Sequence, residues 1–191
     1  IGREGPLGED TRVLRPYGLS MISLLAIALL QADPNVWKQE SDQDGFIVES
    51  RPPPREKFYE YRVTTDTDLS VAVLCDTIFE WSTVGKNHEN LKERKTLADN
   101  GDTRVVYDLL ELPMVPPRDF AFTMKRVKQK DGSCRLDYFT SNDQAPKLPE
   151  GVVRLAKLKG FWSFQPRDSG THIVYTNYSD PGGKLPASMV H

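Results

Sequence analysis

From residue 91 to residue 180 the chain repeats one device: a run of alternating apolar and polar residues, closed by a short segment of Gly, Pro, Asp or Asn. A period of two sends successive side chains to opposite faces of a strand, and such closures turn the chain back on itself. The runs are Leu91 to Ala98, Thr103 to Leu112, Arg118 to Val127, Cys134 to Ser141, Val152 to Gln165 and Thr171 to Ser179. Asp99-Asn100-Gly101-Asp102, Lys130-Asp131-Gly132-Ser133 and Arg167-Asp168-Ser169-Gly170 read as turns, and Pro113, Pro116 and Pro117 mark a bend. Connections this short make neighbours in sequence neighbours in a sheet. The sheet should therefore be largely antiparallel.

Upstream, Val36 to Glu40 reads as a short amphipathic segment, followed by a turn at 42–45 and a strand from Phe46 to Arg51. Pro52-Pro53-Pro54 cannot donate ladder hydrogen bonds and marks a loop before a strand from Lys57 to Thr65. Val71, Leu74, Cys75, Ile78 and Trp81 recur at helical spacing. With Asp68 as the expected N-cap and Gly85-Lys86 as a stop, residues 69–84 are expected to form a helix. About eight strands and one internal helix define an α+β fold. No repeat or heptad pattern interrupts it.

Alternation also assigns faces. Val106, Asp108, Leu110 and Leu112 share one side of their run, as do Phe120, Phe122 and Met124 of the next. Leu136 and Tyr138 belong together, and so do Ala156, Leu158, Trp162 and Phe164. The opposite faces carry Lys125, Arg135, Asp137, Lys157 and Lys159, a solvated exterior. A long sheet with an aromatic inner face and few helices to fill it leaves room for an apolar guest. Burying each methylene of that guest is worth about 0.8 kcal/mol.

Composition removes other classes. Lys and Arg number 25 against 27 Asp and Glu, a net charge of -2, which lacks the basic surplus that phosphate binding needs. Two cysteines and three histidines are too few for a zinc cluster or a disulfide framework. Cys75 reads as a core residue rather than a nucleophile, and whether it meets Cys134 is left open.

Residues 1–18, rich in Gly, Pro and charge, are expected to be a disordered leader. Leu19 to Leu30 is the most hydrophobic stretch but is short of the roughly 18 residues a membrane helix needs. With Arg12 and Arg15 before it and Ala26, Ala28 and Ala32 near its end, the segment 19–32 reads as a secretory signal. A docking helix or a membrane anchor are the alternatives. On the first reading the working domain spans 33–191 and is secreted or periplasmic. The start at Ile1 and the stop at His191, just after a helix-opening pattern at 184–190, suggest a partial reading frame.

Five further segments carry a family likeness. They are Arg104-Val105-Val106-Tyr107-Asp108, Pro117-Arg118-Asp119-Phe120, Gly151-Val152-Val153-Arg154, Gly160-Phe161-Trp162-Ser163-Phe164-Gln165-Pro166 and Asp180-Pro181-Gly182-Gly183-Lys184-Leu185-Pro186. In this order and spacing the chain resembles the START (steroidogenic acute regulatory protein-related lipid transfer) domain, in its bacterial secreted form. The resemblance covers about Val36 to His191. It implies a helix-grip fold, a curved antiparallel sheet around a long C-terminal helix that would be truncated here.

The same resemblance implies non-enzymatic carriage of one lipid or sterol-like molecule in a tunnel, with no metal, cofactor or nucleic acid and transient membrane contact at most. The expected lining is Val106, Asp108, Leu110, Phe120, Phe122, Met124, Leu136, Tyr138, Leu158, Trp162 and Phe164, and the loop 142–151 would help close the tunnel. Sterol-carrying relatives place an acid and a base inside. Asp108 stands at the acid's position, whereas Met124 stands at the base's. Either Arg126 compensates Asp108, or Asp108 lies near the rim, or it binds a ligand hydroxyl.

Arg118-Asp119 reads as a structural charge pair, and His172 as a satisfied surface residue. Asn177-Tyr178-Ser179 matches a glycosylation sequon but falls on a strand. Two other functions share the scaffold. A polyketide cyclase would need acid–base groups in the tunnel, for which Asp108, Tyr107 and Tyr138 are the candidates. An interaction domain would have its hollow filled with aromatics.

Overall fold

The computed structural model describes residues 36–81 and 89–184, all within one unit, Asp33–His191. The expected leader, the segment 19–32, the helix stop at Gly85-Lys86 and the helix start after Lys184 lie outside the described residues.

Ten strands form one curved, unclosed sheet. They are β1 (Lys38–Gln43), β2 (Phe46–Arg51), β3 (Glu60–Thr67), β4 (Leu91–Asp99), β5 (Thr103–Leu110), β6 (Arg118–Lys128), β7 (Cys134–Thr140), β8 (Val153–Arg154), β9 (Lys157–Arg167) and β10 (Gly170–Asp180). Their order is β1-β2-β3-β10-β9-β7-β6-β5-β4, and β8 pairs in parallel with β6. Every other pairing is antiparallel. One helix, α1 (Val71–Trp81), packs on β7 and β9. The α+β fold with a largely antiparallel sheet is therefore what forms.

Four local readings need correction. Residues 38–43 are a full edge strand rather than part of an amphipathic segment, because the turn Asp44-Gly45, with both residues at positive φ, folds them onto β2. The run 152–165 divides at Leu155-Ala156: Leu155 is buried, Ala156 is exposed, and the chain leaves β6 there to start β9 beside β7. Its far end passes Pro166, which is tolerated because only β10 pairs with it at that point. The helix is capped by Ser70, whose Oγ accepts from the Val73 amide at 3.4 Å, and not by Asp68.

The inner face of the sheet is divided in two. At one end α1 lays Cys75 and Phe79, both fully buried, against Val106, Leu136, Cys134 and Phe164. Cys75 and Cys134 are joined as a disulfide, which ties the helix to β7 across 59 residues of chain. Arg104 and Arg126 lie over the Phe79 ring at 4.4 and 4.3 Å. Arg126 also pairs with Asp76 and Asp102, so it fastens the helix rather than compensating Asp108. The other end of the inner face has no such cover from α1.

Candidate ligand-binding site

That uncovered end is a cavity of about 270 Å³ reaching across six strands. Leu91 and Arg94 come from β4, Asp108 and Leu110 from β5, Phe120, Phe122 and Met124 from β6, and Tyr138 from β7. Leu158 and Trp162 of β9 and Tyr175 and Asn177 of β10 complete it. Of the residues expected from sequence, Asp108, Leu110, Phe120, Phe122, Met124, Tyr138, Leu158 and Trp162 line this hollow. Val106, Leu136 and Phe164 share the face but not the hollow. All three have no exposed surface, because α1 packs over their end of the sheet.

The aromatic wall has two groups of rings. Trp162 and Tyr175 have ring centroids 4.2 Å apart, Tyr138 and Tyr175 lie at 6.3 Å, and Phe120 and Phe122 at 5.8 Å. Two polar features interrupt it. Asp108, 3% exposed, accepts from Arg94 Nε at 2.6 Å and Nη2 at 2.5 Å in a side-on fork. A buried carboxylate requires such a partner, since an unpaired one costs several kcal/mol. The partner is Arg94 of β4, neither Arg126 nor a residue at position 124. Secondly, the Tyr138 hydroxyl donates to the Thr176 carbonyl at 2.6 Å and lies 3.1 Å from Asn177 Oδ1. Burial pushes the Tyr138 and Tyr175 phenols up from their ordinary range, so both present neutral hydroxyls. Asn177 is thus a wall residue, and Tyr178 beside it is buried, which leaves the sequon inside the sheet.

Arg94, Leu91, Tyr175 and Asn177 were not read from the sequence. For Tyr175 and Asn177 the signal was present, as they alternate with Ile173 along β10. For β4 it was absent. Register shifts between Leu91 and Glu93 and between Thr96 and Ala98 break the period of two, so odd Leu91 and even Arg94 reach the same side.

The Tyr138 hydroxyl can lie over β9 because residue 160 is glycine. A Cβ there would overlap the Thr176 carbonyl and the Tyr138 phenol. Gly160→Ala should cost about 1–3 kcal/mol, checked by urea unfolding.

The remaining sequence-flagged groups are structural. Asp119, fully buried on the outer face, accepts from Arg154 Nε at 3.0 Å, Arg154 Nη2 at 2.6 Å and the Tyr107 hydroxyl at 3.2 Å. Its partner is therefore Arg154, not Arg118. His172 Nδ1 lies 2.7 Å from Asp66, so it is satisfied as expected. The loop 142–151 is held at its start and at its middle. Asn142 bridges the Ala121 amide and the Leu155 carbonyl, and Arg154 Nη2 donates to the Pro146 carbonyl at 2.8 Å.

The architecture is that of a START-like, helix-grip domain. A STAR-related lipid transfer protein of Xanthomonas axonopodis superposes with a TM-score of 0.72 at 20% identity, over 81% of this chain and 87% of that one. Human StAR-related lipid transfer protein 5 does so with a TM-score of 0.68 at 18% identity, over 88% and 82% respectively. In sequence, an uncharacterized protein of Pseudomonas aeruginosa is 27% identical over 180 residues, 91% of this chain and 89% of its own length. No family model matches the chain.

Proposed function

We propose that this protein binds one hydrophobic ligand in the cavity on the inner face and carries it without chemical change. The observation that supports this most is the uncovered half of the inner face. It combines an aromatic wall of Phe120, Phe122, Trp162 and Tyr175 with the ion pair Arg94–Asp108, able to meet a polar group. Apolar walls with a few placed polar groups are the usual make-up of small-molecule sites. The START-like architecture, whose relatives include lipid transfer proteins, points the same way.

The protein is exported to an oxidising compartment on this reading. The Cys75–Cys134 disulfide supports it, since such bonds persist outside the reducing cytosol. Contact with a bilayer would use Met114, 95% exposed on the Pro-rich bend, and Leu148, 44% exposed on the loop 142–151. The Val153 amide donates to the Pro117 carbonyl, and Arg154 to that of Pro146, so both segments attach at β8.

Native mass spectrometry of the purified protein should show a lipid-sized adduct. An NBD-labelled fatty acid should bind the unliganded protein, and Trp162→Ala should weaken that binding by roughly tenfold or more. Equal affinity in the variant, with no adduct in the native protein, would sink the reading. Conversion of an added polyketide would favour the cyclase instead.

A further inference from the structure

The cavity lining carries polar groups in two separated places. One is the Arg94–Asp108 pair on β4 and β5. The other lies on β7 and β10, where Tyr138, Tyr175 and Asn177 meet. Between β10 and β5 stand β9, β7 and β6, so the two places are four strand spacings apart, about 19 Å measured along the curved sheet. The register sets Asn177 beside Gly160 and Gly160 beside Tyr138, so no β9 side chain at that position separates the amide from the phenol.

Tyr138 engages only half of the Asn177 amide. Its hydroxyl lies 3.1 Å from Asn177 Oδ1, which leaves Nδ2 on the far side of the group. Among the described residues Nδ2 has no hydrogen-bond partner, and it is not sealed inside the protein. As Asn177 lines the cavity, its two N–H donors are within reach of a guest there. Water can satisfy them, but a wholly hydrocarbon guest would displace that water and leave them unmade beside an apolar wall, which is costly. A guest that suits this corner therefore brings an acceptor. The acceptor should be uncharged, because the cation of the described lining is Arg94, at the other corner and paired with Asp108. An anion beside Asn177 would be buried without a counter-charge.

We propose that the ligand carries an oxygen function at each end of an apolar body, and that Asn177 selects for the second one. That function is an uncharged acceptor, a terminal hydroxyl or carbonyl, opposite the group met by Arg94–Asp108. The proposal rests on the hydrophobic-ligand reading and adds the chemistry of the far end.

The test displaces the NBD-labelled fatty acid with decanediol, dodecanediol and tetradecanediol, hydroxyls at both ends, each against the plain alcohol of the same length. A second hydroxyl buried without a partner should weaken binding by about tenfold or more. In wild type, at the length that spans the two corners, the diol should instead bind at least as tightly as its alcohol. Asn177→Leu should weaken that diol by about tenfold or more and leave the alcohol unchanged or tighter. In wild type alone, the Asn177 side-chain amide protons should move downfield in the NMR spectrum with the diol and not with the alcohol, which keeps the test open if the variant misfolds. Diols weaker than their alcohols at every length would overturn the role of Asn177 and leave the cavity reading standing. So would equal weakening of diol and alcohol in Asn177→Leu, the mark of a residue that only holds Tyr138 in place. Failure of wild type to bind the alcohols, the diols or the NBD-labelled fatty acid would overturn both.

Discussion

Asp119→Asn should unfold in urea with about 3–5 kcal/mol less stability than the wild type, the range seen when one partner of a buried ion pair is removed. Asp119 has no exposed surface and receives three donors, two from Arg154 and one from Tyr107. Asparagine keeps the shape but removes the charge, and its NH₂ must face a guanidinium or a phenol that also donates. The damage should spread, because Arg154 holds both β8 and the Pro146 carbonyl. A second readout isolates the electrostatics. Burial and, after it, the neighbouring Asp119 push the Tyr107 phenol up to about 12, so ultraviolet titration of the variant should find it lower but still above 10. An apolar double replacement, Asp119→Leu with Arg154→Met, should recover much of the loss, since buried pairs tolerate exchange for packed hydrocarbon. A single variant as stable as wild type would show that the cluster does not hold the sheet.

Replacing Cys75 and Cys134 by alanine should lower the unfolding free energy by about 4 kcal/mol. That figure follows from the entropy of closing a loop of some 60 residues. For a domain of this size the midpoint of thermal unfolding should fall by roughly 10 °C, and reduction of the wild type should reproduce the change. The cost arises chiefly in the unfolded chain, which regains freedom, so Phe79 should stay docked below the transition. Fluorescence and circular dichroism should then still superpose as one transition. Early loss of helix signal would instead mean that the bond alone keeps α1 in place.

The strands that were legible in the sequence were those with a strict period of two. In β7 buried and partly exposed residues alternate, whereas Val105–Asp108 of β5 and Arg118–Met124 of β6 are buried on both faces; the period of two in the sequence nevertheless places Phe120, Phe122, Met124 and Tyr138 together on the inner side. What could not be read was the division of that side into core and hollow. Val106, Leu136 and Phe164 obey the same alternation as Asp108, Tyr138 and Trp162, and only the position of α1 separates them. Local chemistry says which face a side chain takes, not which helix covers it. The Arg94 partnership was hidden for a different reason. It sits in Lys92-Glu93-Arg94-Lys95, a charged run that resembles a solvated edge, and a bulge turns one member of that run inward. The Cys75–Cys134 bond needed the helix packed on β7, a contact between elements far apart in the chain.

The bare backbone at Gly160 binds its fate to an aromatic ring on the adjoining strand. Tyr138 reaches the Thr176 carbonyl only across that empty spot. Among homologues, the two positions should consequently change as a couple: where evolution places a side chain at 160, the residue at 138 should have lost its phenol. A lineage making the first change alone would thrust the ring into the chamber and narrow the range of guests it could accept.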